Sequence, residues 1–379
     1  MILSTGLYGV CIVKRLIAIL IFCASVSVPA VEASPQQELV RVSLFKGVDS
    51  ITIGGIGCRA LDETGRVLDI GFPLQVKRWK DGLTANGKSP RSIRVTAPAF
   101  MHVNGKGYRG TIEIVPFDKG LLVVDELPLE DYLVGLINCE ISSQWPIEAI
   151  KAQAVIARSY ALFQMEARKN APFHLESSVM DQVYDGCDIE DSRAARGVKE
   201  TAGEVLTFDD RIIQAFYHSN CGGHTEASEN VWGFPLPYLR GVPCNYCLTS
   251  GAVKWEQSIT LKKLESQLKA GGYQISRLTD LVPGRRNRSG RLSDLVLVAA
   301  KGSVKIPATA FRKAVGYSVI KSTNFVVTIH GNEAVFSGAG YGHGVGLCQW
   351  GARQMVRDGW GYKSILRFYL CSYYIKIYE

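Results

Sequence analysis

The sequence predicts an α+β fold, a mostly antiparallel β frame with a helix pair forming a substrate cleft. Three observations carry this. Residues 38–127 read as short apolar runs separated by Gly, Asp and Asn. Residues 128–169 switch to the three- and four-residue spacing of helices. Beyond residue 200 strands return as hairpins, and helices close the chain.

Taken in order, LVRVSLF, SITIGG, RVLDIG, SIRVTA, GTIEIVPF and LLVVDELP are expected as strands. The first long helix opens at Pro128 with Glu130 behind it. Proline needs no amide partner in a first turn, and an early carboxylate suits the positive helix end. Tyr132, Leu133, Leu136 and Ile137 make its apolar stripe. The second helix repeats the grammar with Pro146 and Glu148, then Ile150, Ala154, Ala157, Ala161 and Met165. Glu148 is read as helix-start electrostatics. GEVLTF and IIQAFYHS flank Asp209-Asp210 as a hairpin. A loop-rich segment spans 220–255, strands follow at LSDLVLVAA and VKIPA, and NFVVTIH and EAVFSG flank Gly331-Asn332 as another hairpin. Helices are expected at about 347–358, stopped by Gly359, and at about 362–370.

Gross features bound the function. Lys14 and Arg15 precede an apolar run from Leu16 to about Val28, and Val31-Glu32-Ala33 fits a cleavage site before Ser34. Residues 1–33 are therefore expected to be a signal peptide, the alternative being an uncleaved N-terminal anchor. The run is short for a membrane span. An exported protein of the periplasm or cell envelope is expected, with no stable membrane span after cleavage. Cleavage removes two cations and one anion, taking the formal charge from +8 to +7. A mildly basic surface outside the cytoplasm favours acidic envelope polymers or anionic lipid surfaces over nucleic acid. The basic run Arg285, Arg286, Arg288 and Arg291 is expected in a solvated hairpin loop. A β-rich N-terminal part, 34–127, is expected to pack on a catalytic core, 128–379.

Glu140 is the chemical candidate. It falls at the negative end of the first long helix, where the dipole disfavours the ionised carboxylate and raises its pKa, as a general acid needs. Lys151 and Arg158 share a face of the next helix. From spacing alone, a solvated basic face is as good a reading as a binding one. Gln153 and Tyr160 lie on the same segment. Eight cysteines follow the signal peptide: Cys58, Cys139, Cys187, Cys221, Cys244, Cys247, Cys348 and Cys371. Cys221-x2-His224 followed by Cys244-x2-Cys247 offers three sulfurs and one imidazole for a structural zinc; a disulfide pair or a lone buried thiol is the alternative. Residues 340–346, GYGHGVG, follow a hairpin and open no βαβ unit, so a dinucleotide loop is not expected. Their glycines would let backbone pass close to a ligand or a neighbouring strand.

The chain resembles the stage II sporulation protein D/amidase-enhancer (SpoIID/LytB) family. The matching blocks are LEDYLVGLINCEISSQWPIEAIKAQAVIARSYAL at 129–162, DQVYDG at 181–186, YHSNCGGHTEASENVWG at 217–233, PYLRGVPCNYC at 237–247 and GYGHGVGLCQWGARQM at 340–355. The resemblance implies a lytic transglycosylase that cleaves MurNAc–GlcNAc bonds of peptidoglycan glycan strands, denuded ones in particular. It places the catalytic acid/base at Glu140 and lets Lys151, Arg158, Tyr160, Gln182, Tyr184, His343 and Gln349 line the substrate. No cofactor is required for that chemistry. The alternative it carries is a non-catalytic murein-binding enhancer of a partner N-acetylmuramoyl-L-alanine amidase. Some relatives hold zinc through a His and two Cys just before the Gln-x-Tyr motif. Here His174 is present, but Asp181 precedes Gln182, so that site is expected to be absent.

Overall fold

The computed structural model describes residues 38–249, 253–371 and 374–378; the expected signal peptide lies outside them. A six-stranded sheet runs in the order Leu175–Glu176, Leu39–Val48, Gly120–Pro128, Thr111–Phe117, Ile93–Thr96, Arg59–Asp62. Its pairings are antiparallel except the two-residue edge strand. A five-stranded antiparallel sheet is built from Gly82–Ala85, Leu74–Trp79, Ser50–Gly54, Met101–Val103 and Lys106–Tyr108. Gly120–Pro128 is buried on both faces along most of its length, Asp125 included. RVLDIG is not a strand: only Val67 forms a bridge, to Leu61.

Helix α1, Leu129–Glu140, starts where that strand ends, and α2, Ile147–Ala167, follows across a six-residue corner. Pro128 and Pro146 stand at the residue before each helix. Tyr132, Leu133, Leu136 and Ile137 are buried as their spacing predicts. Each such side chain contributes about 1.5–3 kcal/mol on leaving water. Helix α2 is buried on nearly every side, because it separates two cores. Ala154, Ala157 and Ala161 pack into a core shared with both N-terminal sheets, while Ala152, Val155 and Ile156 pack into a second core with Leu347, Met355, Ile365 and Leu366. Small side chains let neighbours approach. At Gly197 on α3, Ser192–Lys199, a Cβ would lie 2.4 Å from Ile150 Cγ2.

Short α4, Glu229–Trp232, lies in the loop-rich segment. A third, separate core gathers Trp255, Leu264, Leu268, Leu281, Leu295, Phe311, Phe325 and Phe336. It joins α5, Leu261–Ala270, and α6, Ala308–Val315, to two three-stranded antiparallel sheets. The chain closes with α7, Gln349–Arg357, and α8, Tyr362–Tyr369. Tyr374–Ile377 then pairs with Glu204–Phe208. The Gly331-Asn332 hairpin forms as read. At Asp209-Asp210, both at positive φ, only Arg211–Ile212 of the expected return strand pairs back, and Tyr217–His218 pairs in parallel with Leu347–Cys348 instead. No helix among the described residues is long and apolar enough to cross a membrane. The expected solvated arginine run needs correction. Arg291 is 1 % exposed, its guanidinium drawn inward to the carbonyls of Cys221 and His224 at 2.9 Å each.

Candidate active site

Helix α1 ends on Glu140, because Ile141 turns to extended backbone. The corner that follows is tied down by the segment leading into α3. Asn138 accepts the Ser143 N–H at 2.8 Å and donates to Ile189 O at 2.8 Å and Asp191 at 3.0 Å. The Ser143 hydroxyl also donates to Asp191. Arg193 donates to the carbonyls of Ser143 and Trp145 at 2.7 and 2.9 Å. Asp191 in turn caps α3. A carboxylate at the end of α1 is thereby held in one place.

Three donors from three chain segments meet Glu140. The Val183 N–H reaches Oε1 at 3.0 Å, and the Tyr217 hydroxyl and the Gln349 amide hydrogen-bond the same carboxylate. Gln182 donates to the Tyr217 hydroxyl at 3.1 Å and accepts from Tyr132 at 3.1 Å, which fixes the direction of the Tyr217 proton toward Glu140. Gln349 also donates to Gln153 at 3.3 Å. The Glu140 side chain remains partly exposed, yet enough protein surrounds its carboxyl for burial to push its pKa above the usual range. The three hydrogen bonds oppose that shift without cancelling it. Burial, more than the helix end invoked from sequence, is the leading cause. The group is an acid poised to give up a proton and be stabilised afterward.

Of the residues expected around it, Gln182 and Gln349 converge, one through Tyr217 and one directly. Lys151 and Arg158 are engaged in ion pairs instead. Lys151 pairs with Glu148 at 3.0 Å and Glu200 at 2.7 Å. Arg158 is 1 % exposed, bonded to Glu130 at 2.7 and 2.8 Å and to the Glu204 carbonyl at 3.1 Å. Both charges are already matched. The Tyr160 hydroxyl is committed to Asp181 at 2.9 Å, and buried Tyr184 donates to Asp125 at 3.2 Å. His343 accepts the Val345 N–H at 3.0 Å and bonds the Tyr217 carbonyl, while its ring sits against Phe216, His218 and Trp232. Burial and the charges of Arg312 and Arg291 push its pKa down to about 3, so it is a neutral structural imidazole.

Asp181 is held within the protein. Its carboxylate is engaged by Arg168 at 2.7 Å, Tyr160, and the Glu176 N–H at 2.9 Å. The expected Cys/His set is corrected as well. Cys221, Cys244 and Cys247 come together, but the fourth residue of the cluster is Cys348, all four sulfurs lying within 4.8 Å of one another. His224 is turned aside, its Nδ1 against the Thr225 carbonyl at 2.6 Å.

Sequence reading missed Tyr217, although it opens the block YHSNCGGHTEASENVWG. It also missed the pair Trp145 and Trp350, ring centroids 5.1 Å apart, with the Arg353 guanidinium 5.3 and 5.0 Å from the two rings. A tryptophan in the corner directly after the acid was the available signal for that cluster.

Comparison with known proteins bears on residues on both sides of the site. The family model described as "Stage II sporulation protein" matches residues 117–208, which hold Glu140 and Val183. A domain of unknown function (DUF8618) matches 248–346, the region of the third core. An uncharacterised protein of Brachyspira hyodysenteriae is 33 % identical over 269 residues, 70 % of this chain and 72 % of the relative. The amidase enhancer of Bacillus subtilis is 29 % identical over 282 residues, 62 % of this chain but only 39 % of that protein. Stage II sporulation protein D of Bacillus subtilis is 26 % identical over 266 residues, 65 % of this chain and 74 % of the relative.

Proposed function

The chain belongs to the stage II sporulation protein D/amidase-enhancer family, and from that premise we propose that it is an exported lytic transglycosylase of cell-wall peptidoglycan with Glu140 as its acid and base. One observation carries the reading. A carboxyl with a raised pKa is held by three neutral donors, Val183, Tyr217 and Gln349, that favour its ionised form. Such a group can donate a proton and then accept one within a single turnover.

Hydrolytic glycosidases generally set two carboxylates across the bond. Here the next acid along the DQVYDG block, Asp181, is spent on Arg168 and Tyr160. One carboxyl suffices if the sugar supplies the nucleophile. Protonated Glu140 donates to the glycosidic oxygen as the muramic C1–O bond breaks, releasing N-acetylglucosamine with a free hydroxyl. The muramic 6-hydroxyl attacks C1, its proton returns to Glu140, and a 1,6-anhydro ring forms with no water consumed. The test is to follow denuded glycan strands with the wild-type chain. Strand shortening without new reducing ends is expected; new reducing ends would mean hydrolysis.

A second reading rests on the similarity to a protein named amidase enhancer. The chain would then bind glycan and stimulate a partner amidase. Stimulation of an amidase by the chain with Glu140→Gln, at undiminished strength and with no strand cleavage by wild type, would favour it.

A further inference from the structure

We propose that Cys221, Cys244, Cys247 and Cys348 form a tetrahedral four-thiolate zinc site that staples three chain segments and holds Gln349 against the acid. All four cysteines are fully buried. Cys221 Sγ and Cys247 Sγ are 3.3 Å apart, and all four sulfurs fall within 4.8 Å. Zinc–sulfur bonds of about 2.3 Å place tetrahedral sulfurs about 3.8 Å apart, so the cluster needs little adjustment to take the ion. An iron–sulfur cubane would have to spread the sulfurs much further.

Three independent features of the surroundings suit thiolates. Backbone N–H groups of Cys221 and Gly351 point at Cys348 Sγ at 3.3 and 3.4 Å, and the Tyr369 hydroxyl lies 3.1 Å from Cys244 Sγ. Such donors stabilise metal-bound sulfur. Gly351 leaves the space: a Cβ there would lie 2.1 Å from the Tyr369 hydroxyl and 2.9 Å from Cys244 Sγ. Finally, the guanidinium of fully buried Arg291 hydrogen-bonds only carbonyls among the described residues, and its Nε has no hydrogen-bond partner. The negative groups that act on its charge are Cys221, Glu226, Cys348 and Cys247, so a four-thiolate zinc centre, net dianionic, would join Glu226 in balancing a cation that is costly to bury.

Cys221 follows the strand that carries Tyr217, Cys244 and Cys247 lie in the adjoining loop, and Cys348 precedes Gln349. Closing these segments on one ion fixes two of the three donors to Glu140. The metal site itself is independent of the glycan chemistry, because its test reads metal.

The full chain, purified under reductant, should carry one zinc per molecule. Cys348→Ala should lose it while His224→Ala keeps it. Should Cys348→Ala fail to fold, cobalt substituted into the wild-type chain should give the ligand-field and sulfur charge-transfer bands of a tetrahedral four-thiolate centre. Retention of zinc by Cys348→Ala, a cobalt spectrum with nitrogen donors, a bound iron, or peptide mapping that finds two disulfides among the four cysteines would each overturn the assignment.

Discussion

The Val183 backbone N–H donates to Glu140 Oε1 at 3.0 Å, joining two residues 43 positions apart. A backbone donor cannot be removed by a side-chain change and does not rotate away. It gives the ionised acid a fixed partner, to which Tyr217 and Gln349 add two adjustable ones.

Strand cleavage should therefore fall as pH rises through the raised pKa of Glu140, because the acid loses its proton before catalysis. Tyr217→Phe removes a bond that favours the ionised form, so the alkaline limb should move to higher pH. The rate at the optimum should drop by about ten- to a hundredfold, the effect of one hydrogen bond to a charged group. A pH–rate profile checks this; a limb that moves to lower pH would contradict it.

The same shift has a stability consequence. A carboxyl whose folded pKa is raised ionises first in the unfolded chain, so stability is fullest at low pH and declines as pH climbs from the ordinary carboxylate range through the raised value. Glu140→Gln removes this titration. The variant should be more stable than wild type at neutral pH, and the gap should shrink in acid. Urea unfolding at two pH values measures it.

Lys151 and Arg158 should behave as structural ions. Lys151→Ala exposes no buried charge and should leave glycan binding unchanged. Arg158→Ala strips Glu130 and two carbonyls of their donor and should cost about 3 kcal/mol, the low end for breaking a buried pair, since Glu130 is partly exposed. Loss of glycan affinity in Lys151→Ala with unchanged stability would restore a substrate role to that residue.

The glycine loop holds backbone against backbone. A Cβ at Gly346, which lies at φ +75°, would meet the Phe216 carbonyl oxygen at 2.0 Å; at Gly344 it would meet the Arg291 guanidinium at 2.5 Å. Gly346→Ala should cost about 1–3 kcal/mol through strain and displacement of Phe216, next to Tyr217. Thermal unfolding gives the comparison.

What could be read in advance follows from range. The helix pair was legible because Pro128, Pro146 and the apolar spacing are local signals, and Glu140 because it lies at a helix end. The hairpins announced themselves through Asp209-Asp210 and Gly331-Asn332. Helices α5 and α6 were missed although α5 carries a Thr260 cap and leucines at 261, 264 and 268; eight to ten residues give a weak period. Partners were harder. Glu130 lies 28 residues from Arg158 and Cys348 127 residues from Cys221, and neither distance leaves a mark on spacing. Cys348 lost to His224 in the sequence reading because Cys221-x2-His224 mimics a metal knuckle, whereas the loop geometry turns that imidazole away.

The most direct test of the account is mass spectrometry of the products from denuded glycan strands, wild type beside Glu140→Gln. The variant should keep the fold and lose about 100- to 10,000-fold in rate, the range of a missing general acid. Anhydromuramic ends from wild type alone are the predicted result. Anhydromuramic ends from both proteins at similar rates would show that Glu140 is not the acid and contradict the account.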